Sequence, residues 1–513
     1  MTESILSKKE IHPKWGKQLL SLGTALSITV CLTSTVEAAN WFKLRGTEPG
    51  GIAHTLQVWG FLQPTFVSDG SDEIDGISFG PQALNGTLPV AGTVPPDRKS
   101  QDTFTMRRAR LGIRGTMVPI NNDIDYFFLT EFGENGVTRG GGGSHLLDAS
   151  ITLNQLSGGL DDDGLQNLGA RFRTGQFLFS QTSESLSHST PGRRVHIFMP
   201  EATLAFALNR PANDNGAGNF PGAVSVNAAR DIGLEIFDWA EFASDSGGPH
   251  EFTYSLGVGN GGTIGELNRD DNFRTYAWLS YAKLFDDTRG PRRHDFTVYG
   301  FYQEGDRLFN NDINDDGTPD DTQINPVTGL GTASGGTGLI KNGNEKDYNQ
   351  KYYGIGVEYF DKPFAGAGQI RFEAEYQKQE GLIFDGAQSP SIDFNKGIRY
   401  VPDGESDGWY VDFGYDINGH LGWNKRTTIN ARWDNFRRNK DSASRAVEFN
   451  TFSLTGEYFF HKKARLTLTY QAREFDADDR SGNPEIIGNH ILNDIDHRIG
   501  IQLTFIFKNV LLR

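Results

Sequence analysis

The sequence predicts an all-β protein that folds as a closed antiparallel transmembrane β-barrel of about 16 strands. The first observation behind this prediction is alternation, which continues from about Tyr348 to Phe507. In this half of the chain, stretches of apolar residues alternating with polar ones, such as Ile370-Arg371-Phe372, are separated by turns. Successive side chains of a strand point to opposite faces, so each stretch has one apolar and one charged face.

The second observation is strand length. The alternating stretches run for roughly 9–14 residues, whereas strands of soluble proteins most often have about 5–6. Tilted strands that cross a membrane need about 9–11 residues. A large secreted all-β domain is the soluble alternative, because its loops are also rich in Gly, Asn and Asp.

The third observation is the rhythm of the connections. Long connections at 68–102, 180–228, 305–347, 379–407 and 476–496 alternate with short ones. Outer-membrane barrels combine long extracellular loops with short periplasmic turns, which places both chain ends in the periplasm. The predicted strands are 54–67, 103–117, 124–133, 146–157, 169–179, 229–240, 251–259, 272–285, 294–304, 348–360, 368–378, 408–418, 425–436, 447–460, 463–475 and 497–508.

The first 38 residues have the features of a secretory signal peptide. Lysines between Lys8 and Lys17 precede an apolar stretch from Leu19 to Thr35, and Ala38 offers a small residue for cleavage. The alternative is a short N-terminal anchor helix. Removal of 1–38 would leave 39–53 as a periplasmic segment before a barrel domain at 54–508, and would also remove Cys31, the one cysteine. We therefore expect an exported, disulfide-free protein in the outer membrane of a Gram-negative bacterium.

Charge and motifs exclude several functions. The formal net charge of −16 argues against a nucleic-acid partner. The sequence has no HExxH or GxSxG motif and no metal-spaced histidine pair, so we predict no enzyme activity and no cofactor. One acidic loop resembles a calcium-binding loop, although Gln323 stands where an EF-hand has its glutamate and a solvated acidic loop is the simpler interpretation. Its candidate ligands are Asp312, Asn314, Asp316 and Asp320.

An arginine-rich strand near the N-terminus carries the sharpest functional signal. If Ala109, Leu111 and Ile113 face lipid, the arginines between them share the interior face. An arginine facing lipid at mid-depth would cost about 2–4 kcal/mol, which favours the interior assignment. They could form a ladder of positive charge for anions, or they could simply neutralise interior carboxylates. The arginines of this face are Arg108, Arg110 and Arg114.

This strand and two later segments resemble the phosphate-selective porin O/P family. The resemblance lies in residues 107–115 followed by Asp125-Tyr126-Phe127-Phe128, and in 170–177 with Arg171 and Arg173. The last strand, 498–505, resembles the assembly signal of outer-membrane barrels in general. The family implies a water-filled channel for small hydrophilic solutes, an anion-conducting arginine ladder and a homotrimer.

The resemblance also implies that the third long loop folds into the barrel and narrows it. Residues 180–228 hold that position, with Arg193, Arg194 and Arg210 as candidate charges. In the ladder, the positions that match the family are Arg107, Arg108 and Arg110. Two features depart from the family pattern: the chain continues past Phe507, and the predicted interior face carries many acids and almost no lysines.

Around the predicted barrel, interior charges segregate. Arg465, Arg473 and Arg498 join the arginines of the early strands, while acids lie on the opposite wall. A transverse field of this kind sorts solutes by charge and dipole. The predicted acids are Glu358, Glu373, Glu375, Asp412, Asp416 and Glu457. The main hypothesis is an anion-preferring diffusion channel whose partners are membrane lipid and small anions such as phosphate; a sheath for another envelope protein and an outer-membrane enzyme are the alternatives.

Overall fold

A computed structural model of the chain describes the following residues: 56–70, 101–117, 120–133, 145–160, 166–183, 186, 195–200, 203, 230–244, 248–261, 271–286, 293–310, 323–324, 345–362, 368–386, 398–417, 425–438, 447–476 and 497–512. The predicted signal peptide 1–38 and the segment 39–53 lie outside these residues.

The described residues form 17 strands. They are β1 (Leu56–Asp69), β2 (Gln101–Met117), β3 (Asn121–Glu131), β4 (His145–Leu160), β5 (Gln166–Leu178), β6 (Arg230–Phe242), β7 (His250–Gly259), β8 (Arg274–Leu284), β9 (Asp295–Asn310), β10 (Gln323–Ile324), β11 (Glu345–Asp361), β12 (Ile370–Gly386), β13 (Ile398–Asp416), β14 (Thr427–Arg438), β15 (Val447–His461), β16 (Ala464–Asp476) and β17 (Arg498–Leu512).

Sixteen of these strands close into one antiparallel barrel, which confirms the predicted fold. Each strand pairs with its neighbour in the chain, except that β9 pairs with β11, and β1 pairs with both β2 and β17. The two-residue strand β10 stands outside the ring, where it pairs with the start of β13. Closure leaves every strand of the ring with two partners, so the barrel has no free edge within the membrane.

Burial alternates along the strands as the sequence predicts. On β16, Leu468 is 50% exposed whereas its neighbour Thr469 is fully buried. The outer face is therefore apolar and the inner face polar, which is the arrangement of a barrel in the outer membrane of a Gram-negative bacterium. Among the described residues, no helix is long and apolar enough to cross a membrane.

Several strands are longer than predicted at their extracellular ends. The predicted strands 368–378 and 408–418 extend to Gly386 and back to Ile398, so the predicted connection 379–407 shrinks. The ladder continues past a bulge at Gly381, whose φ of 95° suits glycine, and then pairs Ile383 with Val401. The apolar pairs that continue beyond the bulge explain why the extension forms. The residues typical of turns in this stretch gave no sign of it in the sequence.

The C-terminal strand also passes its predicted end at 508. It continues to Leu512, which pairs with Leu56 at the start of β1. Next to this closure, Gly60 allows the ring of Phe507 to lie against the backbone, because a Cβ at Gly60 would collide with both Phe507 and the carbonyl oxygen of Arg110. The residues beyond Phe507 thus extend the seam that closes the barrel.

Candidate functional site in the barrel interior

The arginines of β2 point into the barrel. Arg108, Arg110 and Arg114 are buried, whereas Leu111 and Ile113 between them are exposed on the outer face. This orientation follows from the period-two alternation of a strand and from the cost of placing arginine in lipid. The structure therefore brings these three predicted positions together on one interior face.

A β-bulge brings a fourth arginine to the interior. Opposite β2, Gln63 pairs with Arg108 and Pro64 pairs with Met106, so Arg107 has no counterpart on β1. Proline has no N–H for the ladder, and bulges are where a strand accommodates it. The Arg107 guanidinium lies 6.0 Å from the ring centroid of Phe198, a residue inside the barrel. Strict alternation would have aimed Arg107 at lipid.

Arg110 forms a buried ion pair. Its Nε donates to Glu131 Oε2 at 2.7 Å, and both side chains are at most 2% exposed. The other carboxylate oxygen of Glu131 accepts from the backbone N–H groups of Ala109 and Gly133. This carboxylate is therefore built into the strand pair, and it offsets much of the charge of Arg110.

Arg171 and Arg173 of β5 also have carboxylate partners. Arg171 Nε lies 3.0 Å from Asp238 Oδ1, and Arg173 NH1 lies 3.3 Å from Glu235 Oε2. Both guanidinium groups also lie over aromatic rings, Arg171 at 4.3 Å from the Trp239 centroid. For these arginines the structure favours the interpretation that interior carboxylates neutralise them.

Other inward arginines donate to neutral amides. Arg114 Nε donates to Gln57 Oε1 at 2.7 Å, and Arg498 Nε donates to Gln471 Oε1 at 2.6 Å. A neutral acceptor satisfies a hydrogen bond without cancelling the positive charge. Each of these contacts satisfies one guanidinium N–H of its arginine with an uncharged partner.

Buried charges divide the inner surface of the described strands into two walls. The arginine wall, on β16, β17 and β1–β5, contains seven buried arginines and three buried carboxylates: Arg108, Arg110, Arg114, Arg171, Arg173, Arg465 and Arg498 against Asp125, Glu131 and Asp148. The acidic wall, on β6–β9 and β11–β15, contains 12 carboxylates and five arginines, of which Arg293 lies just before β9: Asp231, Glu235, Asp238, Glu251, Asp295, Glu358, Glu373, Glu375, Asp412, Asp416, Asp434 and Glu457 against Arg230, Arg274, Arg293, Arg371 and Arg432.

Part of the predicted constriction loop lies inside the barrel. We call its described residues, 179–183, 186, 195–200 and 203, the inward segment. The N–H of Ser183 donates to Glu375 Oε2 at 2.9 Å, and its hydroxyl donates to Glu358. Further along, Thr203 Oγ1 accepts from Gln377 Nε2 at 3.2 Å. The segment thus crosses from β5 to the acidic wall at β11 and β12.

His196 fastens the inward segment to two more strands. Its Nε2 lies 2.9 Å from Asp412 Oδ2 on β13, and its Nδ1 lies 2.8 Å from Thr455 Oγ1 on β15. Burial lowers the pKa of His196 and is the largest influence on it. The positive charges of Arg432 and Arg371 also lower this pKa, whereas Asp412 raises it. The neutral ring can donate from Nε2 to the carboxylate and accept the threonine hydroxyl at Nδ1.

The residues after His196 complete the attachment. Ile197 donates its N–H to Thr469 Oγ1, and the Phe198 carbonyl accepts from Arg432 NH2 at 3.1 Å. The Phe198 ring lies 3.9 Å from the guanidinium carbon of Arg498 and packs with Ile197 and Val67. One short stretch therefore contacts β13 to β17 and β1, and these contacts hold the inward segment against those strands.

This attachment was not predicted from the sequence, although a signal was present. Residues 195–200 read Val-His-Ile-Phe-Met-Pro, an apolar run within a loop otherwise rich in Ser, Gly and Asn. An apolar run in a solvated loop has no favourable place, so its presence indicates packing against another surface. The aromatic residues that line the inside of β6, β8 and β9 were missed as well: Phe237, Trp239, Tyr276, Trp278, Tyr299 and Phe301.

Some predicted site residues lie outside the described part of the chain. These are Arg193, Arg194 and Arg210 of the predicted constriction loop, and Asp312, Asn314, Asp316 and Asp320 of the predicted calcium loop. Within the described residues, no group of three or more His, Cys, Asp and Glu side chains is arranged to hold a metal ion.

Comparison with known proteins finds alignments with solved outer-membrane proteins at low sequence identity. No protein-family model and no curated protein matches the sequence. The outer-membrane channel DcaP of Acinetobacter baumannii aligns over 88% of this chain and 97% of its own, with 11% identity and a TM-score of 0.45. The anion-selective porin of Comamonas acidovorans aligns over 88% and 99%, with 12% identity and a TM-score of 0.43. OmpF of Salmonella typhi, solved with daunomycin, aligns over 88% and 98%, with 12% identity and a TM-score of 0.45.

The class of protein follows from the architecture itself. A closed barrel of 16 antiparallel strands with an apolar outer face is an outer-membrane β-barrel, and 16 strands is the number at which porins enclose an aqueous channel. The narrower resemblance to phosphate-selective porins stays a prediction.

Proposed function

We propose that this protein is an outer-membrane channel for small hydrophilic solutes that prefers anions, phosphate or similar oxyanions among them. The observation that carries the proposal is the separation of interior charge into an arginine wall and an acidic wall. A solute between the two walls experiences a transverse field, which orients dipoles and draws anions to one side.

The inward segment determines which wall a solute would meet. Ser183 and His196 bind three carboxylates of the acidic wall, namely Glu358, Glu375 and Asp412. Those carboxylates thereby acquire hydrogen-bond donors from the segment. We place the route past the segment along β2–β5, whose inner face carries the buried side chains of Arg108 and Arg114. This placement supports anion preference even though the acidic wall has more charged groups.

Ion pairing limits how strong that preference can be. Arg110, Arg171 and Arg173 each hold a carboxylate, so they attract anions less than isolated arginines would. We assign the anion preference to the arginine wall as a whole, in which ion pairing reduces the contribution of these three arginines. The channel would consequently favour anions without excluding cations.

A structural barrel that sheathes another envelope protein is the second candidate. Such a role requires a wide interior through which a partner can pass. The inward segment crosses the interior and is bonded to strands β11–β16, which favours the channel over the sheath. Absence of enzyme activity and assembly as a homotrimer remain predictions.

Planar-bilayer recording tests the proposal. The purified mature protein should produce stepwise conductance in potassium chloride, and added phosphate should reduce the chloride current by competing for the arginine wall. Replacing Arg108 and Arg114 by alanine should weaken that block. A barrel that inserts, as judged by its protection from protease in liposomes, but conducts no ions would contradict the channel and favour the sheath.

A further inference from the structure

Two neighbouring rows of inward residues on β8, β9 and β11–β13 carry no charge. Two rows nearer the periplasm, by contrast, Glu358, Glu373 and Asp412 lie side by side. We call the ten uncharged residues the neutral patch. Its members are Tyr276, Gln303, Tyr352, Gln379 and Ser406 in the row nearer the extracellular side, and Trp278, Phe301, Gly354, Gln377 and Gly408 in the next row.

Aromatic rings make up one side of the neutral patch. The Trp278 ring is parallel to within 12° to the rings of Tyr299 and Phe301, with centroids 4.8 and 6.5 Å away. On β11, the residues paired with Phe301 and Tyr299 are glycines. A Cβ at Gly354 would lie 2.6 Å from the Phe301 ring. A Cβ at Gly356 would collide with the Tyr299 ring. These two rings therefore lie over the β11 backbone, and all three share one orientation.

Neutral hydrogen-bonding groups make up the rest of the neutral patch. Gln303 lies between Tyr276 and Tyr352 in its row. In the next row, Gln377 accepts from the Tyr352 hydroxyl at 2.8 Å. An amide side chain can both donate and accept without carrying charge. The patch thus combines ring faces with uncharged donors and acceptors.

Two residues of the inward segment show which chemistry the neutral patch accepts. The Phe179 ring stacks on the Tyr276 ring, with centroids 4.1 Å apart and planes 18° apart. The Thr203 hydroxyl oxygen accepts from Gln377 Nε2 at 3.2 Å. One contact uses an apolar ring face and the other uses a hydroxyl group. A molecule with apolar ring faces and hydroxyl groups at its edges would reproduce both contacts.

We propose that the neutral patch binds the pyranose rings of a neutral oligosaccharide. The C–H groups on the flat face of a pyranose ring pack against the electron-rich faces of Trp278 and Phe301, and its hydroxyl groups pair with the glutamines of the patch. The aromatic and glutamine side chains of the patch are at most 6% exposed, so the sugar takes the places of Phe179 and Thr203 when it binds. The site is separate from the arginine wall and does not depend on a preference for anions.

Isothermal titration calorimetry on the detergent-solubilised mature protein tests this site without requiring ion conduction. The probes are maltohexaose, cellohexaose and isomaltohexaose, of which at least one should bind, whereas polyethylene glycol of similar size should not. Trp278→Ala should weaken sugar binding about tenfold through the loss of one stacked ring, and Trp278→Phe should retain most of the affinity. The matched control Trp59→Ala removes a tryptophan from the inner face of β1, outside the patch, and should bind like the wild type.

Two further variants separate sugar binding from a purely structural role. Phe179→Ala vacates the face of Tyr276 and should strengthen sugar binding by up to about tenfold. Gln303→Leu replaces an amide by an apolar side chain of similar size and should weaken it. Heat-modifiable migration of each variant in gels shows that its barrel is folded.

Three results would overturn the proposal. The first is an absence of binding by all three hexasaccharides, and the second is equal affinity of the wild type and Trp278→Ala for them. The third is weaker binding by Phe179→Ala than by the wild type, which would leave the neutral patch as a packing surface for the inward segment.

Discussion

His196 should hold the inward segment in place, and His196→Ala should release it. The substitution removes hydrogen bonds to Asp412 at 2.9 Å and to Thr455 at 2.8 Å. A buried group that loses its partner costs about 1–3 kcal/mol. Asp412 retains its contact with Arg371 at 3.2 Å, and Thr455 retains its hydrogen bond with Thr469 at 2.7 Å. Because both partners of His196 remain partly satisfied, the free-energy cost of losing the two bonds should be about 2–3 kcal/mol, at the low end of the range for two such bonds. The released population should rise roughly 30- to 150-fold.

Thiol labelling measures this release. The predicted mature chain has no cysteine, so Ile197→Cys introduces a single thiol, buried at the attachment point. Labelling from outside should accelerate when His196→Ala is added. His294→Ala is the matched control, because His294 makes a comparable bond of 2.6 Å to Asp286 in a periplasmic turn. Equal labelling rates with and without His196 would refute the attachment.

Three further predictions concern pH, packing and export. Because burial lowers the pKa of His196, the attached segment binds fewer protons than the released segment, in which a histidine has a pKa of about 6.5. Attachment is therefore strongest above that pH, and on acidification it weakens by at most about tenfold per pH unit. The rate of Ile197→Cys labelling should follow this trend, and the trend should disappear in His196→Gln. A Cβ at Gly112 would come within 2.5 Å of the Trp59 ring. Gly112→Val should therefore lower the temperature at which the barrel unfolds in gel-shift assays. An unchanged unfolding temperature would show that the Trp59 ring can move aside. Intact-mass measurement of outer-membrane material should show a chain that begins after Ala38, and a mass that includes Cys31 would contradict the predicted signal peptide.

The sequence predicted the barrel because period-two alternation is a local property. Each predicted strand needed only its own residues, as in Ala464–Tyr470, and closure followed from the strand number and the loop rhythm. The extracellular extensions of β12 and β13 were missed because pairing across the bulge at Gly381 depends on the partner strand. Alternation within one segment carries no information about such partners.

Alternation predicted which side chains face the interior, but it did not predict the partners that those side chains contact. Alternation placed Arg108, Arg110 and Arg114 inside, but it could not assign Glu131 to Arg110 and Gln57 to Arg114, since those partners come from neighbouring strands. Arg107 required the bulge opposite Pro64, which alternation does not anticipate. The role of His196 depends on contacts more than 200 residues away along the chain, and only the apolar run around it pointed to packing.

Reversal potential in a potassium chloride gradient tests the central claim, that the arginine wall sets the preference for anions. The reversal potential of the wild-type channel should have the sign expected for anion selectivity. The reversal potential of R108A/R110A should be shifted toward the value expected for cation selectivity. Glu131→Gln should shift it the other way, because it frees Arg110 from its 2.7 Å pair. The control K351A/R437A removes equal charge outside the barrel and should leave the potential unchanged. A wild-type potential in R108A/R110A would contradict the claim and leave the arginines as partners of interior carboxylates.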